Sequence, residues 1–320
     1  MKRLLNVVAL AALVVLYSLA TEPVMAGEQK AVLITGASTG IGRNMAERLA
    51  GEGYFVYAGA RKDKDLAELD ALENTKAVRL DVTRQEDIDA AVALITEEGR
   101  GLWGLVNNAG VGTRGPVAEI SDADMDFVFD INVMGVVRVT RAFLPLIVDS
   151  KGRVVTTGSV AGIGSGPGSS VYSMTKHAVE AFTDSLAAEM APVGVQVSVI
   201  EPGSYKSRIR RNAIGRFMQG IEAADQEVPE EMRAQAQQLA EQEVALDEPD
   251  DVSTALVHAL SADTAQRRYL VTPTDAQAER TVRALVRELA ELNQWEQRHF
   301  TRDELVQMLD EALNPQPASD

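Results

Sequence analysis

Cysteine is absent from this 320-residue chain, so neither a disulfide nor thiolate chemistry contributes to its fold or function. Histidine is almost absent as well. His177, His258 and His299 lie far apart without ligand-like spacing, and no metal site is expected. Positive charge is in deficit, with 31 Lys and Arg against 47 Asp and Glu and a formal net charge of −16. A nucleic-acid partner would want a basic face, so that class is set aside. Aromatics amount to only 5 %, and no internal repeat or long low-complexity tract interrupts the chain. What is present is 46 % apolar residues, enough for a sizeable core, in a length that suits one large domain with additions.

The apolar run Ala31–Thr35 is followed at once by Thr35-Gly36-Ala37-Ser38-Thr39-Gly40-Ile41-Gly42, and then by Arg43–Ala50 with helical periodicity. Strand, glycine turn and helix together aim backbone N–H groups and a helix N-terminus at a pyrophosphate. Farther along, Asn107-Asn108-Ala109-Gly110 ends a strand, Asn132 sits within Phe129–Gly135, and Pro202-Gly203 follows the strand Val195–Ile200. Tyr172 and Lys176 lie four residues apart in Val171–Met190, which a helix would place on one face, one turn apart. A free tyrosine titrates near ~10, and a neighbouring ammonium favours its phenolate. That pulls the phenol toward a range useful for acid–base work, with the Ser159 hydroxyl upstream to hold a substrate oxygen.

Strands are expected at Ala31–Thr35, Tyr54–Ala60, Ala77–Leu80, Leu102–Asn107, Arg153–Gly158, Val195–Ile200 and Tyr269–Thr272, with long helices near Ala123–Ile147 and Val171–Met190. Alternation of strand and helix predicts a doubly wound α/β fold, a mostly parallel sheet with helices on both faces.

The motifs T-G-x-x-x-G-I-G at Thr35–Gly42, N-N-A-G at Asn107–Gly110, S-x12-Y-x3-K at Ser159, Tyr172 and Lys176, and P-G at Pro202–Gly203 stand in a fixed order and spacing. In these the chain resembles the short-chain dehydrogenase/reductase family, over about residues 30–272. The resemblance implies a Rossmann-type catalytic domain and an NAD(P)-dependent oxidoreductase working on a hydroxyl or carbonyl group of a small molecule. It implies Tyr172 as general acid/base, Lys176 to lower its pKa and hold the nicotinamide ribose, Ser159 to orient the carbonyl, and Asn132 to fix a water linking Lys176 to solvent. Cofactor contacts are implied at Gly36, Ser38, Thr39, Gly40, Ile41 and Gly42 of the turn and at Asp81 and Val82 after the third strand. Others are implied at Asn108, Ala109 and Gly110, at Tyr172 and Lys176, and at Pro202, Gly203 and Ser207. A homo-oligomer is implied too. The alternative is a nucleotide sensor or scaffold on the same fold, which loss of a catalytic residue would favour; none of the four is lost.

The second strand ends Tyr57-Ala-Gly-Ala60, without the carboxylate that NAD-preferring folds place on the ribose 2′-hydroxyl, and Arg61-Lys62 follow. A guanidinium there suits a 2′-phosphate, so NADP(H) is expected over NAD(H). Thr39 departs from this pattern, since many NADP-preferring relatives carry a basic residue at that place.

Past Gly203, Ile209, Ala213, Phe217 and Ile221 recur every four residues, with Ile214 and Met218 beside them. Lys206, Arg208, Arg210, Arg211 and Arg216 form a basic cluster with no acid among them. Two readings are open: a lid helix packed on the core, or a lid that admits a lipophilic alcohol or ketone and leans on an anionic membrane surface. Beyond Pro273, Thr274–Asn293 and Thr301–Leu313 read as added helices with an apolar stripe at Val282, Leu285, Val286, Leu289 and Leu292. The chain thus divides into residues 1–26, a catalytic domain at 27–273 and a helical extension at 274–320. In the first of these, Lys2-Arg3 precede the apolar stretch Leu4–Ala20, and Val24-Met25-Ala26 suits a signal-peptidase site before Gly27. A signal or a membrane anchor is expected there; a translation start at Met25 would instead give a cytoplasmic enzyme.

Overall fold

The computed structural model describes residues 29–223, 225 and 227–314, and the expected signal or anchor lies outside them. Its strands are β1 (Ala31–Ile34), β2 (Phe55–Ala60), β3 (Thr75–Arg79), β4 (Gly104–Asn107), β5 (Arg153–Thr157), β6 (Gln196–Pro202) and β7 (Arg268–Val271). Each falls within a residue or two of its expected bounds. They form one sheet in the order β3-β2-β1-β4-β5-β6-β7, every neighbouring pair parallel. Short apolar strands buried on both faces are what such a sheet requires. Alternate side chains go to opposite layers: Leu33, Leu105 and Val154 join one core, and Val32, Ile34, Val106 and Val155 the other.

The helices of this unit are α1 (Gly40–Gly51), α2 (Asp63–Asp70), α3 (Gln85–Glu98), α4 (Asp122–Phe129), α5 (Val136–Asp149), α6 (Ser170–Met190), α7 (Ile209–Ala223), α8 (Glu230–Val244) and α9 (Asp250–Ser261). Ile88 and Ile95 of α3, Phe143 and Ile147 of α5 and Leu186 of α6 cover one face of the sheet. Met45 and Leu49 of α1, Leu69 of α2 and Val252 and Leu256 of α9 cover the other. Strand order reverses between β1 and β4, so the loops leaving their C-terminal ends diverge and open a crevice there.

The single helix expected at Ala123–Ile147 is interrupted. Between α4 and α5 the residues Asp130–Gly135 form a π turn, a wide turn that recurs at functional sites, and it carries Asn132. The whole run Asp122–Asp149 is long and apolar enough to cross a membrane by length and composition. Ile131, Val139, Phe143 and Ile147 are nonetheless spent on the core beneath the sheet.

A second compact unit begins at Thr274. It holds α10 (Asp275–Leu292) and α11 (Arg302–Leu313). Thr301 and Glu304 form a reciprocal capping box at the start of α11, with Glu304 N donating to Thr301 Oγ1 at 3.3 Å and Thr301 N to Glu304 Oε2 at 2.7 Å. Val282, Leu285, Val286 and Leu289 of α10 keep about half of their surface exposed.

Candidate active site

The turn between β1 and α1 is possible only with glycine at its key positions. Gly36 and Gly40 lie at φ +66° and +58°, in the left-handed region. A Cβ on Gly36 would stand 2.8 Å from Ala109 Cα, and one on Gly42 would collide with Asn108 Nδ2 and the Gly36 carbonyl. This close approach is fixed by Thr35, whose buried Oγ1 accepts from Asn108 N at 3.0 Å and Ala109 N at 2.9 Å. Asn108 answers with Nδ2, which donates to Thr35 O at 3.0 Å and Gly36 O at 3.2 Å. The first turn of α1 contains no acidic side chain, so its dipole is left uncompensated toward the cleft.

That cleft has a volume of about 280 Å³ at the C-terminal edge of the sheet. Every residue expected to touch the cofactor lines it, from the glycine turn through Arg61, Asp81 and Val82 to Asn108–Gly110, Pro202, Gly203 and Ser207. Ser159, Tyr172 and Lys176 line it as well, which brings three of the four expected catalytic residues into one space with the cofactor set. Asn132 stands behind the wall.

Tyr172 and Lys176 share one face of α6, as their spacing requires. Ser159 follows the end of β5 and lines the same cleft as Tyr172, while its Oγ accepts from Ala161 N at 3.1 Å. Lys176 Nζ donates to Thr157 O at 2.7 Å and lies 5.7 Å from the centroid of the Tyr172 ring. Burial pushes the Tyr172 phenol above its ordinary value; the nearby Ser159 hydroxyl and the charge of Arg210 pull the other way. Burial also lowers the Lys176 ammonium to about 8, against the attraction of Glu180. The expected lowering of the tyrosine by the lysine therefore takes another form here. Lys176 is engaged by a backbone carbonyl, and the groups that favour the phenolate are Ser159 and Arg210.

Asn132 is 2 % exposed and acts as a brace. Its Oδ1 accepts from Val111 N at 2.8 Å, and its Nδ2 donates to Val111 O at 2.8 Å and Thr175 Oγ1 at 3.1 Å. The π turn thus ties the segment after Gly110 to the residue next to Lys176. At the far end of the cleft Arg61 is 58 % exposed, with Nη1 3.5 Å from Asp81 Oδ2. Burial pushes the Asp81 carboxyl up, but the Thr83 amide and hydroxyl and the Arg61 charge outweigh it and hold the acid low.

Most of the basic cluster around α7 is engaged within the protein. Lys206 Nζ pairs with Glu248 at 2.5 Å, Arg211 with Glu243 at 3.5 Å, and Arg210 donates to Ser204 Oγ at 2.7 Å. Arg216 donates to Gly112 O at 2.9 Å and stacks on the Phe127 ring at 4.2 Å. Arg208 is exposed and borders the cleft. Thr35, Thr157 and Tyr205 were not singled out by sequence as site residues, and Arg210 was named there only as one cation of the basic cluster. Thr35 could have been found within the glycine motif, whereas Thr157 acts through a backbone carbonyl that no residue type announces.

A family model described as short chain dehydrogenase matches residues 30–215. The chain is 38 % identical over 277 residues to the mitochondrial D-beta-hydroxybutyrate dehydrogenase of Bos taurus, covering 79 % of each chain. It is 34 % identical over 260 residues to Retinol dehydrogenase 16 of Homo sapiens, covering 75 % of this chain and 80 % of that one. A solved short chain dehydrogenase/reductase from Burkholderia phymatum in complex with NAD superposes with a TM-score of 0.70 at 28 % identity, over 87 % of this chain and 100 % of that one. With relatives matched across most of its length and a cleft that unites the glycine turn with Ser159, Tyr172 and Lys176, the chain belongs to the short-chain dehydrogenase/reductase family, as an NAD(P)-dependent oxidoreductase that interconverts hydroxyl and carbonyl groups.

Proposed function

We propose that this enzyme uses NADP(H) and acts on a lipophilic alcohol or ketone, with Tyr172 as general acid/base. The observation that carries the catalytic part is that Ser159, Tyr172 and Lys176, the last two one turn apart on one helix, line the cleft that the glycine turn borders. The cradle fits a dinucleotide, since a Cβ on Gly36 or Gly42 would fill the space in which backbone and phosphate have to approach. When bound, the nicotinamide supplies or accepts the hydride. The N-terminus of α1 and the turn Gly36–Gly42 would hold its diphosphate, Arg61, Asp81 and Val82 its adenosine end, and Lys176, Pro202, Gly203 and Ser207 its nicotinamide end.

The protein's own part is the proton. Ser159 and Tyr172 offer two hydroxyls to one substrate oxygen. Burial keeps Tyr172 protonated at neutral pH, which suits donation to the oxygen of a carbonyl undergoing reduction. In oxidation the same phenol, as its phenolate, accepts the alcohol proton, helped by Ser159 and Arg210. Asn132 keeps the wall and the helix in register.

The 2′-phosphate preference is supported by Ala60 at the end of β2, where no acid stands, and by Arg61, exposed at the cleft edge. Its long contact with Asp81 is a surface pair of roughly 0–1 kcal/mol, which a phosphate can outcompete. The expected result is a kcat/KM at least about tenfold higher with NADPH than with NADH, reversed in Arg61→Asp. Equal use of both cofactors by the parent enzyme would overturn it.

The lipophilic reading is supported by Ile209 on the cleft wall, by the packed apolar face of α7 around Ala213, and by the name of the retinol dehydrogenase relative. A short hydroxy acid is the rival substrate, favoured by the Arg210 charge acting on Tyr172 and by the name of the bovine relative. NADPH oxidation with long-chain and retinoid-like carbonyls against short keto acids, with Tyr172→Phe as control, separates them. Turnover confined to the keto acids would replace the lipophilic reading.

A further inference from the structure

Behind the Ser159 loop lie two carboxyls that the reaction does not use. Glu201 is 1 % exposed and stands at the end of β6, immediately before Pro202-Gly203. Glu180 is one turn of α6 beyond Lys176. Both side chains reach the same Arg268 guanidinium, and Oε1 of each is buried with no hydrogen-bond partner among the described residues. Ionised carboxylates only accept and repel one another, so two buried acids gathered at one cation require a proton on one, which can then donate to the other.

The surrounding charges do not remove that requirement. From β7, Arg268 Nε lies 3.1 Å from Glu180 Oε2 and 3.7 Å from Glu201 Oε1, while its Nη2 lies 2.8 Å from Asp184 Oδ2 on α6. One guanidinium is thus divided among three acids. Arg267 reaches only Asp184, at 3.5 Å, and Lys176 is committed to Thr157 O. The loop side brings no charge: Gly158 and Gly162 abut Glu180 Oε1, which would stand 3.0 and 3.2 Å from a Cβ at those positions. Burial, followed by the neighbouring Glu180 carboxyl, pushes the Glu201 carboxyl up to about 8. Burial raises Glu180 as well, against Arg268.

We propose that Glu180 and Glu201 share one proton at neutral pH and so clamp helix α6, which carries Tyr172 and Lys176, to the end of β6, which carries the cofactor-lining Pro202-Gly203. Both are positioning residues, and the proposal rests on the assignment of Tyr172 and Lys176 as catalytic groups. With the proton in place the pair carries one negative charge, which supports the Lys176 ammonium against burial. Without it, two charges face each other beneath Gly158, and the strand end that borders the cofactor loosens.

The test reads the proton and the clamp separately from turnover, on the full chain. Infrared titration should show one carboxyl C=O band that disappears as pH rises from about 6.5 to about 9.5, and Glu201→Gln should lack it throughout. NADPH fluorescence should show Kd rising at least about fivefold over that interval in the parent and less than about twofold in Glu201→Gln, where an amide N–H stands in for the shared proton. Lys176 titrates in the same range in both proteins, so their difference isolates the pair. In kcat/KM, Glu201→Gln should lose an ionisation near pH 8 and Glu201→Leu should fall at every pH by about tenfold or more. Glu180→Gln serves as the second variant if Glu201→Gln does not fold. Two carboxylates ionised at pH 6.5, or the same rise of Kd in parent and variant, would overturn the proposal. Failure of turnover with the band and the Kd difference intact would remove the catalytic assignment and leave the shared proton standing.

Discussion

A phenol held protonated by burial, beside an ammonium lowered by burial, makes the direction of proton flow a matter of single charges. Tyr172→Phe removes the hydroxyl proposed as general acid/base, and kcat should fall by about a thousandfold, the ordinary scale of a lost general acid. Arg210 is subtler. Its charge favours the phenolate, so Arg210→Gln should move the rising limb of alcohol oxidation to higher pH. Reduction at neutral pH, which uses the protonated phenol, should change less. A pH profile of kcat/KM in both directions checks this, and an unmoved oxidation limb would assign the tyrosine's environment to Ser159 and burial alone.

At the level of elements, α7 is the helix whose seat at the cleft depends on a latch. Arg216 on α7 joins Gly112 O on one side and the Phe127 ring of α4 on the other, and its burial makes both contacts stronger than their surface counterparts. Arg216→Ala should raise substrate KM by about tenfold, for a loss near 1–2 kcal/mol, with a smaller effect on kcat. Steady-state kinetics on the best substrate decides it; an unchanged KM would mean that α7 holds its place through Ala213 and Ile209 alone. This latch was not legible in the sequence. There Arg216 was one cation of five, and only folding brought Phe127, some ninety residues away, beneath it. The strands, by contrast, were readable because each is a short apolar run closed by glycine, asparagine or proline. The cofactor set was readable because its motifs hold backbone geometry that few residues permit. The helices α2, α3, α8 and α9 were not legible in this way, their faces being too polar or too brief to stand out by periodicity. The π turn was hidden for a related reason: its extra residue leaves no mark on composition, and Asn132 shows its value only once Val111 and Thr175 converge on it.

Across the whole molecule, the site sets a pH dependence of stability with two opposed parts. The Glu201 carboxyl is displaced from 4.5 to about 8, so between those values the folded protein keeps a proton that the unfolded chain has released. Its stabilising share is complete below 4.5 and is lost as pH climbs toward 8. The Lys176 ammonium is displaced from 10.5 to about 8, so between 8 and 10.5 the unfolded chain holds the extra proton and stability rises with pH. Glu201→Gln should therefore gain on the parent as pH goes from 5 to 8, by roughly 2 kcal/mol once coupling to Glu180 is discounted. Lys176→Met should show its largest gain below pH 8, where the parent buries a charge, and lose that gain above it. Urea unfolding of the three proteins at intervals from pH 5 to 9.5 gives both difference curves. An enzyme that gives up stability to bury an acid and a base behind one tyrosine should show opposite slopes meeting near pH 8. Two flat curves would mean that water reaches both groups and that the cleft is wetter than its packing implies.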